Sequence, residues 1–188
     1  MNTSTILAII LIGAAMITVL LILFQFQRRR KTEELKGRFG PEYARTIQET
    51  GSKTRGEEKL TKLEKRVERL HIHPLPQTEC LQFAESWRVV QAKFVDNPEQ
   101  ALRDADSLLG MVMSARGYPV ADFEERAAEI SVHHPLVVTR YRAGHDIAIR
   151  HFKGQANTED LRQAMVHYRA LFDEMIAERA MAQERRAG

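Results

Sequence analysis

The chain has 188 residues, of which 28 are Lys or Arg and 25 are Asp or Glu, and its formal net charge is +3. All of these charges follow residue 27, so an uncharged apolar segment precedes a highly charged remainder. A second long apolar run is absent from the sequence, which excludes a multi-span membrane protein. The single cysteine, Cys80, excludes an internal disulfide framework and a cysteine-based zinc finger.

The first predicted element is a transmembrane anchor within residues 1–27. From Ile6 to Phe24 only Gly13 and Thr18 interrupt the apolar side chains. A helix of that length spans roughly 28 Å, close to the hydrocarbon thickness of a bilayer. The alternative is a cleaved secretory signal, which the pattern does not favour. Signals have a basic start, a shorter apolar core and a small-residue cleavage site, and the start of this chain has none of these.

The charges beside the anchor predict its orientation. Arg28, Arg29, Arg30 and Lys31 follow the apolar run directly, and no basic residue precedes it. Positively charged flanks stay on the cytoplasmic side of a membrane. We therefore expect a single-pass protein of the inner (cell) membrane, with its N-terminus outside and its C-terminal domain in the cytoplasm. The same four side chains are the predicted contacts with the membrane surface.

Residues 28–76 form a predicted basic helical neck and linker. Residues 28–70 hold 14 basic and 8 acidic side chains, whereas residues 71–188 hold 14 basic and 17 acidic ones. A basic segment beside an anchor attracts anionic lipid headgroups. The position of the charge and the scarcity of nearby aromatic residues favour the lipid bilayer as partner, and no nucleic acid is expected.

Glycines and prolines divide this neck. Gly37 and the pair Gly40-Pro41 are predicted to end the helix that leaves the membrane, and Pro41 opens a short helix to about Thr50. Residues 51–56 have the composition of a flexible linker. A helix over Glu57–Leu70 then places four apolar residues on one stripe, for which packing on the neighbouring domain and self-association are both open. These are Leu60, Leu63, Val67 and Leu70.

Residues 77–188 are predicted to fold as a bundle of four or five helices, which makes the fold class all-α. Apolar residues recur at helical spacing, and period-two alternation typical of strands is absent from the sequence. Asn97, Asp122 and Asn157 precede helical segments as N-caps. The run His133-His134-Pro135 is expected to separate two helices, because proline disfavours helical backbone in the residue before it.

The search for chemistry yields one weak constellation. His145 and Asp146 on one predicted helix and His167 on the next are candidates for a metal or acid–base site. Ordinary hydrogen-bonded histidines are the simpler interpretation. Phosphate-binding, dinucleotide-binding and nucleophile motifs are missing from the sequence. It therefore predicts no cofactor and no catalytic residue, and leaves open whether the chain is an enzyme, favouring that it is not.

A loop in the bundle is the candidate surface for a partner. Arg116, Gly117, Tyr118 and Pro119 follow a predicted helix and have the character of an exposed turn. The simpler interpretation is a helix stop followed by a rigid turn, since glycine adopts the left-handed backbone that ends helices.

Three strings carry a resemblance to known sequences. They are RFGPEY at 38–43, MSARGYPV at 113–120 and DLRQAMVHYR at 160–169. The chain resembles a family of uncharacterised bacterial helical proteins that are membrane-anchored or secreted. The resemblance implies that neck and bundle form one unit, and it implies no activity and no catalytic residue.

These patterns together predict a membrane-tethered helical protein that acts as an interaction or scaffold module. Its partner would be another protein or a second copy of itself. The alternative is a sensor or enzyme that binds a small ligand or a metal within the bundle.

Overall fold

The computed structural model is all-helical over the residues that it describes. Its backbone covers residues 3–119 and 121–187, and side-chain burial is described for residues 13, 16–119 and 121–177. The prediction of an all-α fold is confirmed. The helices are α1 Thr3–Phe39, α2 Pro41–Thr50, α3 Lys53–Val67, α4 Gln77–Lys93, α5 Pro98–Ala115, α6 Phe123–Ser131, α7 Pro135–Phe152 and α8 Thr158–Ala187.

Local capping explains where several helices begin. The Asn97 side chain accepts a hydrogen bond from the Gln100 backbone N–H at 3.0 Å, and Asp122 caps α6 in the same way. Asn157 and Asp160 each accept a bond from the other's backbone N–H, which forms a reciprocal box at the start of α8. Such caps satisfy donors that have no partner within the helix. The three predicted caps are confirmed.

Helices α4 to α8 form the bundle, and their apolar stripes meet in one core. Trp87 of α4 is fully buried and stacks on Phe172 of α8, with ring centroids 4.6 Å apart. Tyr141 of α7 packs against Tyr168 of α8 at 5.6 Å. Helix α8 contacts both α5 and α7 and so forms the centre of the bundle. The five helices fall within the predicted range.

The neck is helical over more of its length than the sequence predicted. Helix α1 continues through Gly37 and ends at Phe39, so only Gly40, with φ of 50°, interrupts it. The predicted flexible linker over residues 51–56 is wrong, because α3 already begins at Lys53. Gly56 lies inside α3 against Ile47 of α2, where a larger side chain would collide. The glycine that suggested flexibility permits close packing of two helices.

The apolar stripe of α3 is covered within the chain. Leu60 and Val67 are about 1% exposed, and they pack in a small core with Phe39 and Tyr43. Val132, which follows α6, joins the same core and connects it to the bundle. Of the two alternatives for this stripe, packing on the neighbouring elements is the one observed.

Candidate functional site

The described part of α1 before Arg28 exposes apolar side chains around its circumference. Each of the large apolar side chains between Met16 and Phe26 is more than half exposed, at 52–62%. These are Met16, Ile17, Val19, Leu20, Leu21, Ile22, Leu23, Phe24 and Phe26. None of them takes part in the two apolar cores of the described chain. This surface therefore has no covering partner within the described residues.

The predicted anchor is only partly described. Residues 1–12, 14 and 15 of it lie outside the residues whose side chains are described. Among the described residues, no helix is both long enough and apolar enough to cross a membrane.

The predicted membrane-surface residues continue the same helix. The guanidinium of Arg28 lies over the Phe24 ring at 4.4 Å, and that of Arg30 lies over Phe26 at 4.5 Å. A cation over an aromatic face is attracted by the electron-rich ring. Two cations are thereby held at the end of the apolar surface.

A hydrogen-bonded hub fixes the basic end of α1 to the neck. The Glu57 carboxylate accepts hydrogen bonds from the hydroxyls of Thr32 and Tyr43, both at 2.8 Å. Burial and the bond to Glu57 raise the pKa of Tyr43 to about 12. Burial alone would raise the pKa of Glu57, but the two hydroxyl donors hold it below its ordinary value. The hub joins α1, α2 and α3.

An ion pair fixes the neck to the bundle. Arg142 of α7 donates two hydrogen bonds to the Glu42 carboxylate of α2, at 3.1 and 2.7 Å, and a third to Glu124 of α6 at 2.6 Å. The side chains of Arg142 and Glu42 are only 11% and 8% exposed. Paired geometry of this kind holds a guanidinium and a carboxylate in one orientation. The bundle is therefore held at a defined angle to α1.

The structure separates the three candidate metal or acid–base residues. The His145 ring stacks on Phe123, with centroids 3.4 Å apart. Asp146 points away on the exposed face of α7, where its carboxylate lies 3.6 Å from Arg150. Burial lowers the pKa of both His145 and His167, and His145 lines a groove that contains Asp106 whereas His167 does not. Within the described residues, no three His, Cys, Asp or Glu side chains form a metal-binding group.

A groove between α5, α7 and α8 contains the polar group that the sequence analysis missed. Asp106 accepts a hydrogen bond from the Tyr141 hydroxyl at 3.0 Å and another from Arg126 at 3.1 Å. The groove has a volume of about 260 Å³ and includes His145 and Tyr168 in its lining. Burial and the Asp106 charge raise the pKa of Tyr141 and Tyr168, so both phenols remain neutral donors. The groove can accept a small molecule with an apolar body and a polar end.

The candidate partner loop is less exposed than the sequence suggested. Arg116 and Tyr118 are 1% and 2% exposed, and only Pro119 of the four residues is fully at the surface. Arg116 donates to the backbone oxygen of Met175 at 3.2 Å, and burial lowers its pKa. The expectation of an exposed loop is wrong for these two side chains. Arg116 instead binds the end of α5 to α8.

The comparisons with known proteins assign no role to any of these residues. The resemblance to a bacterial family therefore stays a prediction. The roles proposed for the residues are inferred from the geometry of the structure alone. The chain matches no protein-family model, no curated protein and no solved structure.

Proposed function

We propose that this chain is a single-pass membrane protein that holds a helical bundle at the membrane surface as an interaction or scaffold module. The supporting observation is the exposed apolar surface between Met16 and Phe26, where each large side chain is more than half exposed. A contiguous exposed apolar surface is characteristic of membrane or protein contacts. The exposure extends around the helix, which favours lipid over a partner protein that would cover one face.

The charge pattern supports the orientation. The apolar surface is followed within the same helix by Arg28, Arg29, Arg30 and Lys31. We infer that this end lies in the cytoplasm and that the bundle is on the same side. The partner would be another protein or a second copy of the chain.

The attachment of the neck supports a scaffold. Helix α1 ends in the neck core at Phe39, which is fully buried, and the pair formed by Glu42 and Arg142 joins that neck to the bundle. A bundle that is held at a defined angle presents the same surface in every copy. A flexible linker between neck and bundle would not have this effect.

Membrane integration is tested by extracting membranes with alkaline carbonate. Leu20 and Leu23 are each exposed, at 59% and 53%, so replacing both by lysine leaves no cavity. We expect the wild type to remain in the membrane and Leu20→Lys/Leu23→Lys to be released, because lysine in a membrane span is costly. The matched control is Leu81→Lys/Val89→Lys on α4, which adds the same charge at exposed positions of the bundle. Release of the wild type would contradict the proposal.

Orientation and partner need separate experiments. A reporter fused after Gly188 should be active only in the cytoplasm, and activity only outside it would reverse the orientation. Crosslinking in intact cells followed by purification of the chain should recover a stoichiometric partner or a second copy. Recovery of uncrosslinked monomer alone would contradict an interaction module.

The groove beside Asp106 supports a second candidate function, which is the binding of a small ligand. Its lining combines apolar Leu102 and Leu161 with a carboxylate that already accepts two hydrogen bonds. Arylalkyl amines, which carry an apolar ring and a cationic amine, match this combination. Ala148 lines the groove and is half-buried, so Ala148→Phe should fill it. Ligand-observed NMR with benzylamine should show binding to the wild type and none to the filled variant, and equal binding would exclude the groove as the site.

A further inference from the structure

A cleft between α1 and α3 concentrates positive charge next to the exposed apolar surface. It has a volume of about 610 Å³. Three carboxylates line it, from Glu33, Glu57 and Glu58, against seven basic side chains. The basic residues are Arg28, Arg29, Lys31, Lys36, Lys53, Lys62 and Lys65. Three of them come from α3, so the sequence run at residues 28–31 supplies only part of the charge.

The carboxylates of the cleft are already engaged. Glu57 accepts the two hydroxyl hydrogen bonds of the hub, Glu33 pairs with Lys36 at 2.8 Å, and Glu58 pairs with Lys62 at 2.7 Å. Four cations remain without an ion pair among the described residues. These are Arg28, Arg29, Lys31 and Lys65. The cleft therefore retains positive charge that an anion could neutralise.

An apolar hollow continues the cleft toward the membrane. It is a shallow space on one face of α1, open on its other sides, and is lined by Leu21, Phe24 and Gln25 together with Arg28 and Arg29. The two arginines line both spaces, so the hollow and the cleft are contiguous. An apolar surface that leads directly into a cationic one has the polarity of an anionic amphiphile.

We propose that this cleft binds the headgroup of an anionic phospholipid. The phosphate would lie between Arg28, Arg29 and Lys65, with Lys53 of α3 as the fourth cation, and an acyl chain would follow the hollow beside Phe24. Lys53 is 3.8 Å from Glu57 and its side chain is 62% exposed, so it can also reach an anion in the cleft. The inference depends on the proposed membrane integration, and it adds a specific stoichiometric lipid to general attraction by a basic segment. Because α3 supplies half of the contacts, binding requires the folded neck. Free phosphate shares the headgroup chemistry and is distinguished by the test.

The test uses the full chain in a mild nonionic detergent. Native mass spectrometry would follow titrations with dioctanoyl phosphatidylglycerol, dioctanoyl phosphatidylcholine and inorganic phosphate. We expect one phosphatidylglycerol to bind preferentially. Lys53→Gln/Lys65→Gln should weaken that first site about 30-fold, the factor for losing two cations near a lipid phosphate.

The matched control removes two charges from the other side of the same helix. Arg55 and Lys59 line the opposite groove of α3 and not this cleft. Arg55→Gln/Lys59→Gln should therefore bind phosphatidylglycerol as the wild type does. Equal weakening in both variants would overturn a defined site, since it would show that only net charge matters. Binding of inorganic phosphate as tight as that of the lipid would overturn the lipid assignment.

Failure of the inference is distinguishable from failure of the proposed function. The same variants are reconstituted in phosphatidylcholine vesicles and extracted with alkaline carbonate. Retention of wild type and both variants, combined with equal lipid affinity, would contradict the lipid site alone. Release of the wild type would contradict membrane integration and with it the lipid site.

Discussion

The bundle and the neck are both helical, yet different interactions stabilise them. Among the residues whose burial is described, the bundle core contains 22 buried apolar side chains, whereas the neck core contains six. In the neck, polar side chains supplement this small core, through the Glu57 hub and the pair between Glu42 and Arg142. We infer that apolar burial decides whether the bundle folds, and that buried polar contacts decide whether the neck docks onto it.

The largest expected effect comes from removing the aromatic centre of the bundle. Trp87 is fully buried and stacks on Phe172. Trp87→Ala should lower the free energy of unfolding by about 3–5 kcal/mol, because a large buried ring leaves a cavity. Urea denaturation followed by circular dichroism measures this, since Trp87 is the only tryptophan for fluorescence. Val89→Ala, at a position 58% exposed, should change stability little.

The second prediction separates the neck from the bundle. Glu42→Gln leaves the Arg142 guanidinium buried with only Glu124 as an acidic partner. We expect a loss of about 2–3 kcal/mol in docking free energy, because breaking a buried pair leaves a charge poorly compensated. Hydrogen exchange should rise in α2 while protection of α5 and α8 is unchanged.

The control for the docking prediction is an exposed pair on the same helix. Glu49 is 42% exposed and pairs with Arg45 and Lys59. Glu49→Gln should have an effect below about 1 kcal/mol. Faster exchange throughout the bundle in Glu42→Gln would show that neck and bundle unfold together, and would contradict separate stabilisation of the two regions.

The third prediction concerns the connection between the two regions. Gly117 has φ of 94°, and an added Cβ would collide with the His71 backbone oxygen of the segment that leads from neck to bundle. Gly154 also has positive φ, but a Cβ added there would meet no described atom within 4 Å. Gly154→Ala should cost about 1 kcal/mol from backbone strain alone, and Gly117→Ala about 2 kcal/mol. Urea denaturation measures both losses in the free energy of unfolding. Equal losses would show that the backbone at His71 moves aside for the added Cβ without an energetic cost.

Sequence patterns predicted the features that depend on neighbouring residues. The caps at Asn97, Asp122 and Asn157 need only a side-chain oxygen and the backbone N–H three positions later, and each bond is present. The predictions made for Gly37 and Gly56 from the sequence are wrong because the roles of these glycines depend on packing. Gly37 lies within a helix whose end is held by the buried Phe39, and Gly56 permits contact with α2.

The candidate sites were less predictable because they assemble over long sequence distances. Asp106 receives its hydrogen bonds from residues 20 and 35 positions away, and no local pattern indicates those pairs. The sequence predicts that His145 and His167 converge because adjacent helices carry them, but His145 stacks on Phe123 and lines the groove beside Asp106, which His167 does not line. The sequence predicts only part of the basic cleft, the basic run at residues 28–31. It does not indicate that lysines of α3 lie beside that run.

The smallest expected effect concerns a carboxylate where α3 of the neck meets α6 of the bundle, a contact that we call the junction. Glu129 of α6 is fully buried, and Arg66 of α3 lies 3.0 Å from one of its oxygens. Neither oxygen accepts a well-aligned hydrogen bond from the described residues. Burial raises the pKa of Glu129, and the nearby Glu125 adds to this, while Arg66 opposes it. The junction therefore contains a carboxyl group that favours its neutral form.

The sign of the pH effect follows from that shift. The folded chain keeps the proton on Glu129 at pH values where the unfolded chain has lost it, so unfolding releases a proton. The contribution of Glu129 to stability is full below about pH 4.3, the ordinary value for glutamate, and is lost as pH rises through the folded pKa. Glu129→Gln, which stays neutral, should match the wild type at low pH and be more stable at pH 8.

Urea denaturation of the wild type and of Glu129→Gln, from low pH to pH 8, measures the difference in their free energies of unfolding. Glu159 provides a contrast of opposite sign, because hydrogen bonds from Arg162 and Gln163 lower its pKa to about 2. Glu159→Gln should lose stability, relative to the wild type, as pH rises from about 2 to about 4.3, and the difference should stay constant at higher pH. If Glu129→Gln were less stable than the wild type at pH 8, the attraction to Arg66 would exceed the cost of burial. The neck would then be held at this point by charge, as it is at Glu42, and not by the exclusion of water.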